Sequence, residues 1–393
     1  MKYIFGIIVL LFVSLNISAQ QYYFKQYSTQ QGLPQSEVFA MLEDKQGSIW
    51  AATHGGGLAR LDGEKFVIFT KKDGLLQNRI TTLGKDMQGN IWLSYPNEGS
   101  LSKYDGLKFT HYQDEEGTLK QGGYFPFSIL EDRHKNIWLT VVNQNLRQVS
   151  LFLKKGDKLI NYTKKDSLIS VNNGFFNIVL DKDKNLVVSN NQGIQVFNGQ
   201  RFETQRTIKS DLITNKNLSF IYQDSKGIQW FLAFDGKSPV QLFQYDGQEL
   251  KPFLLPNQIT LPVANNGGGQ MIEDKQGVYW FSIRNIGLLK YNPENKKQAF
   301  TLYNQKNGLP VSVEILGGVL TDKENNIWLN TGGGGMVKFQ DGNFSNFTKE
   351  DGLPQEFVRA IFEDSKANVW IGTSSNGICK YDGEKITPFP VTN

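Results

Sequence analysis

Val38-Phe-Ala-Met-Leu-Glu-Asp-Lys-Gln-Gly-Ser-Ile-Trp-Ala-Ala-Thr53 and Val358-Arg-Ala-Ile-Phe-Glu-Asp-Ser-Lys-Ala-Asn-Val-Trp-Ile-Gly-Thr373 are two copies of one pattern, at opposite ends of a 393-residue chain. In each, two runs rich in β-branched and aromatic residues flank an Asp-led turn short enough for a hairpin. All seven tryptophans, at 50, 92, 138, 230, 280, 328 and 370, follow an aspartate by six residues, at 44, 86, 132, 224, 274, 322 and 364. An eighth copy, Asp181-Lys-Asp-Lys-Asn-Leu-Val187, carries valine in the tryptophan position. A Gly-rich step follows each copy. Then comes a strand ending in Tyr-Asp-Gly or its equivalent, as in Leu101-Ser-Lys-Tyr-Asp-Gly106 and Ile378-Cys-Lys-Tyr-Asp-Gly383, and an aromatic pair such as Phe109 with Tyr112 or Phe344 with Phe347.

Each unit therefore holds four short strands separated by Asp/Gly/Asn turns, and no ten-residue segment sustains a helical period, so the class is all-β. A four-stranded antiparallel sheet cannot cover its own faces. Radial stacking buries each sheet against two neighbours, which predicts a β-propeller with a repeat of 42 to 50 residues and the indoles as filler between blades. Eight units run end to end, and a seven-bladed ring with one unit outside is the alternative. Tyr22–Tyr27 reads like the outer strand of a unit, yet Lys385–Phe389 already supplies one for the last unit. The expectation is eight closed blades with a spare edge strand, because all eight units keep the Asp, the turn and the strand after it.

Lys2, the apolar run Ile4–Val13 and the small residues up to Ala19 form the three parts of a secretory signal. The run is too short to span a bilayer, so residues 1–20 read as a signal peptide and 21–393 as the propeller. No later segment approaches the apolar length of a transmembrane helix, and the expected location is the periplasm. Cys379 is the lone cysteine, which excludes an internal disulfide and a cysteine metal cluster; its place in a strand pattern suits packing. The net charge of +4 is spread along the chain, so nothing electrostatic points to nucleic acid.

Gly32-Leu-Pro-Gln, Gly74-Leu-Leu-Gln-Asn, Gly308-Leu-Pro and Gly352-Leu-Pro-Gln each lead into Val/Ile-x-x-Ile/Leu-x-x-Asp and then Ile/Val-Trp. With these motifs the chain resembles the two-component regulator propeller repeats of periplasmic sensors in Bacteroidetes-type bacteria, over residues 22 to 390. The resemblance implies a ligand-sensing propeller followed by a β-sandwich, a membrane helix and a cytoplasmic histidine kinase. The sequence stops at Asn393; a continuation would make it the first part of a sensor kinase, and a stop there a free-standing periplasmic propeller.

Strand order separates two faces. The Asp-led and Tyr-Asp-Gly hairpins share one, the lower face; the Gly-rich steps and the Gly-Leu-Pro connections share the upper one. Loops on a rigid scaffold carry binding residues, and the upper loops differ from blade to blade. Candidates for ligand contact are His54, Asn78, Arg79, Tyr95, Tyr124, Phe125, Asn173, Phe175, Arg284, Glu314, Glu356 and Arg359. Arg79 and Arg359 are expected on one side of the channel mouth, where they can take a carboxylate or sulfate, or else pair with acids such as Glu356. Phe125 and Phe175 either stack on ligand or plug the channel.

An enzyme needs a constellation that this chain does not offer. His54, His111 and His134 map to an upper loop, an outer strand and a lower hairpin, too dispersed for a metal or a triad, though His54 alone can serve as a general base. Asp181 to Asn185 opens like a calcium loop, but Leu186 and Gln192 stand where Gly and Glu are required, so it reads as a β-turn. The glycine runs at 267–269 and 332–335 lack the helix of a phosphate loop. No metal or cofactor is implied. The reading is an exported binding module for an oligosaccharide or similar polar ligand. The alternatives are an envelope scaffold for a membrane sensor protein and, less favoured, a propeller lyase of the streptogramin-inactivating type.

Overall fold

The computed structural model describes residues 22–385, apart from 97–99, 115, 122, 144, 146–147, 166–176, 191–192, 208–215, 257–258, 262, 264–268, 284–286 and 311–317. Blade 1 runs outward from the axis through Val38–Glu43, Ile49–Thr53, Leu58–Asp62 and Lys65–Phe69, all antiparallel. Six more blades follow the same order at residues 82–114, 124–161, 177–207, 217–253, 269–303 and 319–347. The hydrogen-bonded sheets number seven, six of four strands and one of eight. The larger sheet is blades 2 and 3 joined at their outer strands, where Lys158 and Leu159 pair in parallel with Gln113 and Asp114. Counted by four-stranded units, the ring has eight blades.

The expected spare strand is not spare. Tyr22–Tyr27 is the outer strand of blade 8, antiparallel to Ile378–Lys385, with Phe24 opposite Tyr381 and Tyr27 opposite Ile378. Its aromatic pattern explains the choice: Tyr27 stacks on Trp370 at 5.7 Å, as Phe69 stacks on Trp50 at 5.7 Å in blade 1. The outer strand expected at Lys385–Phe389 lies, beyond Lys385, outside the described residues.

Eight buried clusters, one at each junction between blades, form the core. At the first, Trp50, Ala52 and Leu58 of blade 1 meet Ile91, Leu93 and Tyr104 of blade 2. At the last, Tyr27, Trp370 and Ile378 of blade 8 meet Val38, Ile49 and Leu61 of blade 1, which closes the circle. Cys379 is fully buried between blades 7 and 8, as its strand position predicts. Each buried Trp or Tyr contributes a large apolar area, so the indoles are core and not ligand platforms.

The six-residue spacing has a physical cause. Asp44 Oδ1 accepts the backbone N–H of Gln46 and Ser48, both at 2.9 Å, and Oδ2 accepts the Trp50 indole N–H at 2.7 Å. Every Asp–Trp pair repeats the indole bond, from 2.6 Å at Asp322–Trp328 to 3.1 Å at Asp224–Trp230. The valine copy has no indole, but Asn185 Nδ2 still donates to Asp181 Oδ2 at 2.8 Å, as Asn90, Asn136, Asn326 and Asn368 do to theirs.

The preceding residue holds the neighbouring blade. Glu43 accepts the Ser365 N–H at 2.8 Å and hydroxyl at 2.6 Å, Glu273 accepts those of Ser225 at 2.6 and 2.8 Å, and Glu363 accepts the Lys323 N–H at 2.9 Å. Gln223 does the same for Lys182 at 2.9 Å, and Glu131 for Met87.

Asp132 is fully buried, so Asp132→Ala leaves an indole N–H and turn amides without acceptors, at a cost of about 2 to 4 kcal/mol. Urea unfolding of that variant beside Asp183→Ala, a residue exposed in the turn of blade 4, should show the loss in the first only.

The turn residue three after each Asp has positive φ in all eight blades, and Ala367, at φ 68°, stands where four blades have glycine. Ala367→Gly should therefore raise the unfolding free energy by about 0.5 to 1 kcal/mol, the relief of left-handed strain exceeding the entropy that glycine adds to the unfolded chain.

Burial by itself would raise the Asp364 carboxyl, but hydrogen bonds from Trp370 and Asn368 outweigh it and hold the group below the usual range. A depressed carboxylate stabilises the fold fully above its unfolded pKa of about 3.9, and that stability is lost as pH falls through the folded value. The stability gap between the wild type and Asp364→Asn should be flat above about pH 5 and close on further acidification, read by urea midpoints across a pH series.

Candidate functional site

On the upper face the chain crosses from one blade to the next through a capped turn. Ser28, Thr70 and Thr348 each cap a short 3-10 turn that ends at Gly32, Gly74 or Gly352 in the left-handed region. The crossing is then clasped to the loop it passes: the Gly57 N–H donates to the Asn78 carbonyl at 2.8 Å, Gly335 to Glu356 at 3.1 Å and Gly377 to Ser36 at 2.8 Å. The glycine is required, since a Cβ at 57 or 335 would lie 2.1 Å from the carbonyl oxygen of Phe69 or Phe347. Asn78 and Glu356 thus occupy one equivalent clasp position, and the Asn78 side chain is further engaged by the Lys71 N–H at 2.9 Å.

The next residue in each crossing is where the blades diverge: Glu37 in blade 1, Arg79 in blade 2 and Phe357 in blade 8, each the fifth after the glycine. Glu37 is the hub. Its Oε2 meets His54 Nδ1 at 2.8 Å and its Oε1 meets an Arg359 terminal nitrogen at 3.1 Å. The Arg359 guanidinium lies 5.3 Å from the centre of the Phe39 ring and 5.8 Å from that of Phe357, and His54 stands edge-on to Phe39 at 5.3 Å. Arg79, bridged to His54 through the backbone, lies 5.8 Å over Phe125 of blade 3.

Register breaks in the inner strands aim side chains into this region. Three of the four inner-strand breaks among the described residues fall here, between Val38 and Ala40, between Pro126 and Ser128, and between Val358 and Ala360, freeing Phe39, Phe127 and Arg359 from the ladder; the fourth, in blade 5, leaves Ile221 packed on a core cluster. Phe127 is left 71% exposed, unusual for a phenyl ring. The result is an arc across blades 8, 1, 2 and 3 with aromatic faces, two guanidiniums, a carboxylate and an imidazole.

The structure sorts the sequence candidates. His54, Arg79, Phe125 and Arg359 are in the arc. Arg359 pairs with Glu37 rather than Glu356, and Arg79 turns to Phe125, so each guanidinium has its own surroundings instead of a shared one. Tyr95 is buried, donating to Ser102 at 3.1 Å, and Tyr124 is buried in the cluster between blades 2 and 3. Asn173, Phe175, Arg284 and Glu314 lie outside the described residues.

His111 Nδ1 is 2.7 Å from the Ser102 hydroxyl, and burial pushes its pKa down against a backbone hydrogen bond with Gly74. His134 packs on Phe197 of blade 4. Among the described residues, no His, Cys, Asp and Glu side chains are grouped to hold a metal ion.

Glu37, Phe39, Phe127 and Phe357 were not among the candidates. Aligning the crossings on their glycine would have exposed Glu37 as the divergent position; the bulges have no comparable signal.

A second concavity, a cleft of about 420 Å³, opens on the lower face between blades 1 and 2 and includes Asp44, Arg60, Asn90, Tyr104 and Asp105. Arg60 is already engaged there, donating to Asp62 at 2.7 and 3.0 Å and lying 5.5 Å over Trp50.

Fold and arc together define a β-propeller with a chemically varied loop face on a uniform, self-satisfied base. The two-component regulator propeller family model matches at residues 32–55 and 352–375, the crossings and first hairpins of blades 1 and 8, and these are two-component regulator propeller repeats. No curated protein matches the sequence.

Among solved structures, a streptogramin B lyase is 14% identical with a TM-score of 0.50, covering 92% of this chain and 97% of that one. YCF48 bound to D1 peptide is 12% identical with a TM-score of 0.50, covering 94% and 99%. The extracellular domain of a hybrid two component system from B. thetaiotaomicron is 16% identical with a TM-score of 0.28, and the match spans 94% of this chain and 66% of that domain. At these identities the likeness is one of fold.

Proposed function

We propose that this chain is an exported sensor propeller that binds an oligosaccharide or similarly polar ligand on its upper face. The observation that carries the reading is the arc itself: bulges in the inner strands of blades 8 and 1 present Arg359 and Phe39 beside Glu37 and His54, and one in blade 3 leaves Phe127 exposed, on the face where the blades differ. Flat apolar rings next to charge-bearing donors and acceptors suit a ligand with both a ring face and hydroxyls. The regulator propeller repeats in blades 1 and 8, the two that flank the arc's acid and arginine, support a sensing role. The leader-like segment at residues 1–20 supports export.

A ligand held across blades 8 to 3 spans the junction at which the N-terminal strand closes the ring. Binding there stabilises the closed ring, increasingly with the logarithm of free ligand above its Kd. That gives the sensor an output without a large movement, read by whatever follows or docks on the propeller.

Titration calorimetry of residues 21–393 against plant and host glycan fragments tests the reading. Heat is expected with one class, a rise in Tm should accompany it, and Phe127→Ala and Phe39→Ala should each weaken it by about 1 kcal/mol. Folded protein that gives no heat with any fragment but recovers a stoichiometric envelope protein would replace the reading with that of a scaffold.

A further inference from the structure

We propose that Arg79 anchors an anionic group of the ligand, a carboxylate or a sulfate ester borne on the saccharide; the proposal rests on the saccharide-binding reading above. Arg79 stands at the divergent crossing position filled by Glu37 in blade 1 and Phe357 in blade 8. Unlike Arg359, which Glu37 holds at 3.1 Å, it has no carboxylate partner among the described residues. Its Nε is buried and makes no hydrogen bond. Phe125 covers the guanidinium at 5.8 Å, and the backbone of residue 79 is fixed by its bridge to His54.

A partly buried guanidinium with an unused Nε is costly for the fold to keep, because desolvation is not repaid by a partner. The group that repays it through charge is an oxyanion accepting from the two terminal nitrogens, which are not closed off as Nε is, with the Phe125 ring behind as a wall. A lysine cannot reproduce that two-pronged contact. A neutral hydroxyl can accept one bond there but leaves the charge uncompensated.

Glu37 sharpens the assignment. It neutralises Arg359, so in the resting site Arg79 is the cation available for an anion. Removing the Glu37 charge frees Arg359 as a second one and removes a repulsion from the arc.

The guanidinium N–H signals of arginine-labelled protein, with those of Arg79 identified by their loss in Arg79→Lys, read the contact. Sodium galacturonate and galactose 6-sulfate are the two anionic probes, carboxylate and sulfate, and galactose is the neutral control. The expected result is a saturable shift of the Arg79 signal with at least one anionic probe and none with galactose. Arg79→Lys and Arg79→Gln should weaken that probe roughly ten- to hundredfold, as for loss of a charged two-pronged contact, with Tm little changed. Glu37→Gln should tighten it several-fold.

Equal shifts with galactose would overturn the anion assignment and leave the saccharide reading standing. So would an unmoved Arg79 signal while the sugars bind elsewhere on the face. A shift with sodium sulfate alone, and with no sugar, would keep Arg79 as an anion site and overturn the saccharide reading.

Discussion

One carboxylate per blade, bonded at once to a hairpin and to an indole, is the interaction on which the rest of this molecule depends. The aspartate closes the turn through one oxygen and fixes the tryptophan through the other. An indole N–H buried without an acceptor would cost about 1 to 3 kcal/mol, a large share of what the ring's burial contributes, so the Asp both permits that burial in full and decides how the ring lies. Six of the seven aspartates are themselves buried, which makes the pair mutually dependent: each partner satisfies the polar group that the other brings inside. The fourth blade, with Val187 in place of tryptophan, keeps the turn and the asparagine bond that blades 2, 3, 7 and 8 also make.

From that unit the ring follows by repetition. A blade whose indole faces its neighbour must have a neighbour, and the eight junction clusters show each blade filling the next. The Glu or Gln before the aspartate adds a hydrogen bond to the adjacent turn, so the lower face is a belt of linked hairpins. Closure uses the two ends of the chain in one sheet, which ties the last blade to the first strand and makes the junction of blades 8 and 1 dependent on residues 22–27.

The two faces then divide the work. Lower-face polar groups are largely spent on turns and neighbouring blades, and even the arginine in the cleft there is paired and stacked. On the upper face the clasps between Gly57 and Asn78, Gly335 and Glu356, and Gly377 and Ser36 use backbone atoms only. The side chains beside them differ from blade to blade: Asn78 accepts the Lys71 N–H, whereas Glu37 takes His54 and Arg359. Constant backbone with variable side chains is what lets one scaffold carry an acid, an arginine and a phenyl ring at equivalent positions.

The sequence by itself determined the repeat, the all-β class, the eight units and the division into faces, because Asp-turn-Trp spacing and strand alternation are local and each copy reports independently. It also placed His54, Arg79, Phe125 and Arg359 on the loop face. What tertiary structure decided is which strand closes blade 8, since only a ring brings Tyr27 to Trp370 across the whole chain. It decided too that Tyr95 and Tyr124 are core residues, because burial depends on the neighbouring blade and not on the loop they adjoin. Glu37 gained its place only there: its bond to Arg359 joins residues 322 apart in sequence, a distance that no local pattern spans.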